Sequence, residues 1–368
     1  MRRLNDYTSG RDNNFNIMRL LAASAVLIGH SFTLATGNQE IEPFVRELGI
    51  TLGTIAVDVF FVTSGFLVTG SLLSRNNIVE FFAARALRIY PGLWVSQILT
   101  VLIVGLWFTS ASPSSFFSQW ATWHSLLKNC VLIRGVDSTF PGAFESVPFA
   151  SGGVNSSLWT LPIEFTMYLF LGIGWIALGL WRKFGSRLFI VLCAGAAILG
   201  IFGDMAHFIF PTEELVGVEP YWLLGGLFFA GATFRLLQRK IVVSKSIAIV
   251  MIIVLVASGL NPFLFGIVYR ITIAYLVVYL ALVPSFRGRH FSPGGDYSYG
   301  IYIYAYPVQQ AVAATVRGIS PYQMIALAGL ITFLFAFLSW HCIEKHALRF
   351  KESLTRKDAR MFAPDRQI

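Results

Sequence analysis

Long apolar runs separated by short polar stretches dominate this chain from residue 16 to residue 343. A helix needs about 20 mainly apolar residues to cross a hydrocarbon core about 30 Å thick. Segments that meet or approach this length cover residues 16–36, 49–73, 89–110, 157–181, 188–204, 219–234, 246–260, 264–284, 297–316 and 322–343. The pattern predicts an all-α polytopic membrane protein with about ten transmembrane helices, organised as one membrane domain over residues 1–368.

Three polar segments fall outside the predicted spans. Residues 77–88 read NIVEFFAARALR, whose apolar positions recur at helical spacing, and predict an interfacial helix on the cytoplasmic side. Residues 111–156 are rich in Ser, Gly, Pro and aromatic residues and predict a long extracytoplasmic loop, a type of segment that is usually functional or disordered. Residues 344–368 predict a basic cytoplasmic tail.

The positive charge follows the predicted topology. The chain is 55% hydrophobic and 13% charged with a net charge of +9, and a basic balance of this size can indicate nucleic-acid binding. However, 22 Lys and Arg residues lie in the termini and in the loops on the same side, whereas the opposite loops contain 4. Positive residues collect in cytoplasmic loops. We therefore predict cytoplasmic termini in a multi-pass protein of the cytoplasmic (inner) membrane, with lipids rather than nucleic acid around it.

The first predicted span, FNIMRLLAASAVLIGHSFTLA at 15–35, contains two ionisable residues, Arg19 and His30. They are 11 positions apart, which is 20° beyond three full helical turns, so both lie on one face. Their separation along the axis is about 16 Å, roughly half the hydrocarbon thickness. This places Arg19 near the cytoplasmic end and His30 in the outer half of the membrane.

Three further ionisable residues, Asp58, Glu164 and Arg270, lie at the depth of His30, about 9–14 Å from the outer ends of their spans. A neutral imidazole beside a carboxylate suits general-base catalysis, so His30 with Asp58 or Glu164 predicts a catalytic pair. The alternatives are structural. His30 can be a packed residue, Asp58 and Glu164 can neutralise Arg270, and Arg19 can extend to the interface.

Arg85 and Arg88 form a second group, on the cytoplasmic side. Their spacing of three positions puts both on one helix face. Guanidinium forks bind phosphate oxygens well, although a basic helix beside the membrane also contacts anionic lipid headgroups. Spacing alone favours the lipid interpretation.

At these residues the chain resembles the acyltransferase family 3 of integral-membrane O-acyltransferases, from residue 14 to about residue 346. Each motif alone is weak, but their order and spacing match. The similar segments are NFNIMRLLAASAVLIGH at 14–30, VDVFFVTSGFL at 57–67, RALR at 85–88 before Pro91, SLWTLPIEFTMY at 157–168, YSYGIYIYAYP at 297–307 and CIEK at 342–345.

The resemblance implies transfer of an acyl group, usually acetyl from acetyl-CoA, from the cytoplasm to a hydroxyl of an extracytoplasmic or lipid-linked carbohydrate. It makes His30 the catalytic histidine and Arg19 its essential partner, and it assigns Arg85 and Arg88 to the CoA phosphates. The expected catalytic residues are His30, Glu164, Asp58 and Arg19, and the expected donor contacts are Arg85, Arg88, Arg19, Ser64, Trp159 and Tyr304. No metal site is expected, because Cys130, Cys193 and Cys342 are scattered without CxxC spacing.

The sequence departs from the family pattern at two positions. Ala305 stands where members commonly have a histidine, so Tyr302, Tyr304 or Tyr306 would take any such role, and His346 stands where the closing motif often has proline. The resemblance leaves open the acceptor, the choice of acetyl or succinyl, and direct transfer or an acyl-histidine intermediate. A rival from another class is a secondary transporter or exporter of a polar or saccharide solute, which also keeps charged residues within the membrane.

Overall fold

A computed structural model describes residues 2–8, 13–75, 77–133, 135–179, 185–211, 219–284 and 295–350 of the chain. Helices account for nearly all regular structure in these ranges, where no β-strand occurs. The helices are α1 (Phe15–Thr36), α2 (Val45–Leu48), α3 (Leu52–Arg75), α4 (Ile78–Trp107), α5 (Pro113–Ser118), α6 (Trp120–Val131), α7 (Thr160–Gly179), α8 (Gly185–Ile209), α9 (Glu219–Leu236), α10 (Lys245–Ser258), α11 (Pro262–Leu282), α12 (Ser298–Thr315) and α13 (Pro321–Ser339). A π-helical segment, Trp340–Glu344, extends α13.

Each predicted span corresponds to a helix, and the all-helical multi-pass architecture is confirmed. In the described part, seven helical stretches are long and apolar enough to cross a membrane, namely α1, α3, α4, α8, α11 and the stretches Ala150–Gly179 and Pro321–Phe350. Helix α10 has only 14 residues, about 21 Å of rise, and the other two, α9 and α12, have 18 each. The number of ten spans therefore stays a prediction.

The predicted interfacial helix and the third predicted span form one continuous helix. Helix α4 runs for 30 residues, and Asn77 caps it by accepting hydrogen bonds from the backbone N–H groups of Val79 and Glu80. Pro91 lies inside it without ending it. The separate segment expected over residues 77–88 is thus the beginning of α4, and its position at the membrane surface stays a prediction.

Local signals fix several other helix ends. Asn261 caps α11, which begins with Pro262, and Ser320 forms a capping box with Gln323 at the start of α13. Gly37, in the left-handed conformation with φ of 77°, ends α1. Each signal is local, which explains why the predicted boundaries differ from the observed ones by only a few residues.

Helices α3 and α9 pack at close range because glycines face the neighbouring backbone. A Cβ atom built at Gly65 would overlap the carbonyl oxygen of Phe228, and one at Gly231 would overlap that of Val62. Small residues permit this close approach in membrane proteins, where van der Waals packing provides much of the association energy. The pair of glycines therefore sets the distance between α3, which carries Asp58 and Ser64, and α9.

We expect Gly65→Ala to destabilise the bundle by roughly 1–3 kcal/mol, because the added methyl group meets backbone that cannot rotate away. Thermal unfolding in detergent would show a lower Tm. Gly195→Ala is the matched control, since a Cβ atom at Gly195 meets no atom within 4 Å. An unchanged Tm for Gly65→Ala would contradict the close packing of α3 on α9.

The helices create two chemically different ends of the bundle. At one end, here called the basic end, the Leu4 N–H donates to the carbonyl of Ile241 at 2.9 Å, and Asn14 donates to the carbonyls of Leu280 and Pro284. The opposite end, here called the loop end, contains residues 109–157. Both termini of the described chain lie at the basic end, since Leu348 lines a cavity together with Arg85 there.

Candidate active site

A cavity of about 280 Å³, here called the arginine cavity, lies toward the basic end. It is formed by side chains from α1, α3, α4, α7 and α12, which are distant in sequence. Its polar lining consists of Arg19, Ser64, Arg85, Arg88, Thr160, Glu164, Tyr168, Ser298, Tyr299 and Tyr302. Three arginines and one carboxylate therefore line it, which makes the cavity suitable for an anionic ligand.

Two of these arginines are held by carboxylates that do not line the cavity. Asp296 accepts hydrogen bonds from Arg19 Nη1 at 3.0 Å and from Arg88 Nη2 at 2.5 Å, and Glu344 accepts one from Arg88 Nη1 at 3.2 Å. Burial raises the pKa of Asp296, but Arg19 and Arg88 outweigh this and hold it well below its usual value. The ionised Asp296 therefore ties α1 to α4.

Arg85 differs from the other two arginines. Its Nε is buried and has no hydrogen-bond partner, and within the described ranges no carboxylate lies within ion-pair distance of it. The charge of Arg85 is therefore the one in this cavity with no direct salt bridge from the described residues. Such a guanidinium is suited to a phosphate ligand, which would supply the missing acceptors.

Glu164 also lies in the arginine cavity. Its Oε1 accepts hydrogen bonds from the hydroxyl groups of Ser64, at 2.9 Å, and Tyr168. Of the two carboxylates left open as partners of His30, Glu164 is excluded, because it lines the arginine cavity and His30 lines another. Helix α7 directs Glu164 toward Ser64, near the middle of α3.

His30 lines a second cavity of about 330 Å³, here called the histidine cavity, toward the loop end. Its polar lining also includes Thr51, Thr54, Asp58, Ser157, Trp159, Asp204 and Tyr302. The His30 ring packs edge-on against Tyr306, with centroids 5.2 Å apart. The Nδ1 atom is enclosed and has no hydrogen-bond partner, which leaves Nε2 as the nitrogen that can face the cavity.

Of the two carboxylates predicted as partners of His30, Asp58 is the one that lines this cavity. Its Oδ2 accepts a hydrogen bond from Tyr269 at 2.7 Å, while its buried Oδ1 has no partner in the described part of the chain. No hydrogen bond joins Asp58 to His30 in the structure. Of the two carboxylates considered for the histidine, Asp58 is thus the one in position to interact with a molecule bound beside it.

Arg270 pairs with a residue that the sequence analysis missed. Its Nε donates to Asp204 Oδ2 at 2.5 Å, so the direct salt bridge of Arg270 is with Asp204, while Asp58 lies near enough for a longer-range attraction to the same cation. The side chains of Arg270 and Asp204 are 16% and 10% exposed. Asp204 is an acidic residue at the end of a predicted span, a signal by which it could have been found.

Helix α12 braces the segments around His30. Gln309 is fully buried and donates hydrogen bonds to the Leu27 carbonyl at 2.8 Å and to Ser31 Oγ at 2.7 Å, on either side of His30 along α1. Gln310 donates to the Gly153 carbonyl at 2.7 Å. The sequence analysis overlooked this pair, although two adjacent glutamines in a predicted span were a visible signal.

A thin wall separates the two cavities, since Val57 and Tyr302 line both of them. The Tyr302 hydroxyl contacts Thr160 Oγ1 at 2.5 Å and donates to the Ser157 carbonyl, and its ring packs edge-on against Phe60. Tyr302 is therefore the polar residue that lines both cavities.

Of the six expected donor contacts, four share the arginine cavity: Arg19, Ser64, Arg85 and Arg88. Trp159 lines the histidine cavity instead. Tyr304 lies in an apolar groove between α4, α12 and α13, where its ring stacks on Phe335 with centroids 5.5 Å apart. Among the described residues, no group of three His, Cys, Asp or Glu side chains could hold a metal ion.

Comparison with known proteins places these residues in a family context. A family model described as an acyltransferase domain matches residues 12–341. An O-acetyl transferase of Shigella phage Sf6 is 31% identical over 92% of this chain and 96% of its own length. Nodulation protein 10 of Rhizobium leguminosarum bv. viciae is 25% identical over 96% and 98%.

A longer relative is the peptidoglycan O-acetyltransferase OatA of Listeria monocytogenes, which is 25% identical over 94% of this chain and 57% of its own length. No solved structure matches this chain. The similarity to proteins named as O-acetyltransferases extends over both cavities and the helices between them.

Proposed function

The chain belongs to the acyltransferase family 3 of membrane proteins, and we propose that it transfers an acetyl group from cytoplasmic acetyl-CoA to a hydroxyl group of an extracytoplasmic or lipid-linked carbohydrate. One observation carries the proposal: a cavity with three arginines adjoins a cavity with a buried histidine, and the two share a wall. O-acyl transfer itself agrees with the relatives, which are O-acetyltransferases. A carbohydrate acceptor agrees with the peptidoglycan in the name of one of them.

The arginine cavity supports the donor assignment. Acetyl-CoA is too large and too charged to cross a bilayer, so its phosphates would stay at the basic end. Arg85 would bind them with its unpaired guanidinium, while Arg88 and Arg19, held by Asp296, would add positive potential. An extended pantetheine arm is on the order of the 16 Å between Arg19 and His30, a distance set by helical rise. The thioester would then reach the wall at Tyr302.

In the reaction that we propose, Nε2 of His30 takes the proton of the acceptor hydroxyl as its oxygen attacks the thioester carbonyl carbon. The C–S bond then breaks, the new ester C–O bond remains, and the departing CoA sulfur takes the proton back from His30. Tyr302, which lines both cavities, would stabilise the oxyanion once its hydroxyl group turns from the Ser157 carbonyl toward the thioester. Asp58 would stabilise the imidazolium that forms.

The distribution of charge supports the direction of transfer. Within the described ranges the basic end contains Arg3, Arg85, Arg88 and Arg239, and the distribution of Lys and Arg along the sequence favours a cytoplasmic location for that end. The loop end, with the histidine cavity, would then face the outside of the cytoplasmic membrane. Donor and acceptor would approach from opposite sides and meet near Tyr302.

Proteoliposomes test the proposal directly. With the basic end facing the lumen and acetyl-labelled acetyl-CoA enclosed, we expect a labelled ester on an oligosaccharide outside, and no ester without the protein. A transporter would instead move the oligosaccharide or a small solute across without forming an ester. Formation of ester only when acetyl-CoA is supplied from the outside would contradict the proposed direction.

A further inference from the structure

A third cavity, of about 450 Å³, opens beside the histidine cavity at the loop end. The two adjoin, since Thr51, Thr54, Asp58 and Leu223 line both. No expected site residue except Asp58 lies in it. Its volume is within the range of small-molecule binding sites. A molecule bound there would have one edge next to His30.

The wall of this third cavity combines aromatic faces with a few polar groups. Phe208 and Phe263 stack with ring centroids 5.5 Å apart and planes at 16°, and the Arg270 guanidinium lies 4.2 Å from the Phe208 centroid. Opposite them are Asp58, with its unpartnered buried Oδ1, and the Thr51 hydroxyl. Apolar faces with a small number of fixed polar groups suit a sugar, whose ring is apolar on its faces and carries hydroxyl groups around its edge.

The charges of this cavity differ from those of the arginine cavity. Arg270 is the one cation among its described lining residues, and Asp204 neutralises it at 2.5 Å, while a further Arg270 N–H donates to the Gly266 carbonyl at 3.1 Å. Asp58 adds another acidic group, which has no direct salt bridge among the described residues and accepts a hydrogen bond from Tyr269. A carboxylate or phosphate entering here would lose its hydration without gaining a free cation.

We propose that this third cavity binds the sugar that receives the acyl group and that it selects an uncharged sugar unit. The Oδ1 atom of Asp58 would accept a hydrogen bond from a sugar hydroxyl, and Phe263 would cover one face of the ring. A neighbouring hydroxyl would then point toward His30. The inference rests on the proposed function, because it assigns a second substrate to the same reaction.

The first test measures binding of matched saccharides to the full-length protein in nanodiscs. The probes are oligosaccharides of glucose, galactose and N-acetylglucosamine, each paired with its uronate counterpart. We expect the neutral member of at least one pair to bind at least 10-fold more tightly than its uronate. Binding of the uronates with equal or higher affinity, or of neither member of any pair, would overturn the inference.

The second test uses variants at the edge of the cavity. Phe263→Ala should raise the Kd and the KM of the neutral saccharide about 10-fold and leave the KM of acetyl-CoA unchanged, while Phe170→Ala should change neither. Both phenylalanines are more than half exposed, at 51% and 57%, so removal of either ring leaves the core intact. Asp204→Asn should reduce the preference for neutral over uronate saccharides, because it leaves the charge of Arg270 uncompensated.

The two proposals fail in distinguishable ways. If the wild-type protein forms no ester with acetyl-CoA and any saccharide, the proposed function is wrong, and the binding measurements still decide whether the cavity takes a neutral sugar. If the wild-type protein forms the ester but Phe263→Ala and Asp204→Asn change neither the saccharide affinity nor the neutral-to-uronate ratio, the acceptor lies elsewhere and only the further inference is wrong.

Discussion

Replacement of His30 by alanine is expected to reduce acyl transfer by at least 100-fold while leaving the affinity for CoA unchanged. General-base catalysis contributes about 10²–10⁴-fold, and no other imidazole lines either cavity among the described residues. His30 does not line the arginine cavity, and Arg19, the α1 residue that does, lies about 16 Å from it along the helix, so the cavity keeps all of its lining side chains in this variant. The His30→Ala variant should therefore lose acyl transfer while it still binds CoA.

The measurement combines the initial rate of ester formation with equilibrium binding of CoA in detergent or nanodiscs. His124→Ala is the matched control, because His124 is exposed on α6 and lines neither cavity. Full transfer activity in His30→Ala would contradict the assignment of His30 as the general base. Loss of CoA binding in this variant would instead indicate that the two cavities are not separate units.

A rapid-quench measurement on the wild-type protein distinguishes direct transfer from an acyl-histidine intermediate. Rapid quenching with labelled acetyl-CoA in the absence of acceptor should leave the protein unlabelled if the acceptor oxygen attacks the thioester directly. A labelled adduct that is absent in His30→Ala would support the covalent route. The direct route is favoured by the shared wall at Tyr302, where the proposed donor and acceptor would meet.

Replacement of Arg85 by glutamine is expected to raise the Kd for CoA by roughly 10–100-fold with little change in stability. A hydrogen bond to a charged group contributes about 1.5–3 kcal/mol, which corresponds to that range of affinity. No carboxylate of the described chain lies within ion-pair distance of Arg85, and Glu164 interacts with its charge only at longer range, so its replacement breaks no direct salt bridge. The loss should therefore appear in donor binding alone.

Arg88→Gln provides an informative contrast to Arg85→Gln. It removes the partner of Glu344 and one of the two partners of Asp296, so we expect a lower Tm in addition to weaker CoA binding. Arg187→Gln is the matched surface control, since Arg187 is exposed near the start of α8 and lines no described cavity. An unchanged CoA affinity in Arg85→Gln would indicate that Arg85 contacts anionic lipid headgroups instead of CoA.

The sequence predicted the elements and some of the residues, but not how the side chains pair. Apolar runs and helical periodicity identified the helices, because both are local properties of the chain. The one-face relation between Arg19 and His30 also follows from a single helix. The common depth of Asp58, Glu164 and Arg270 did not predict their partners, because depth says nothing about which faces meet.

What the sequence by itself determined is the helical membrane class, the family resemblance and the positions of Arg19, His30, Arg85 and Arg88. Only the tertiary structure decided that Glu164 joins the arginines, that Asp58 joins His30, and that Asp296, Asp204 and Gln309 hold the site. The contact between Arg19 and Asp296 spans 277 positions and that between Gln309 and Leu27 spans 282. Such pairs depend on how the helices rotate and pack against one another, which the local pattern does not contain.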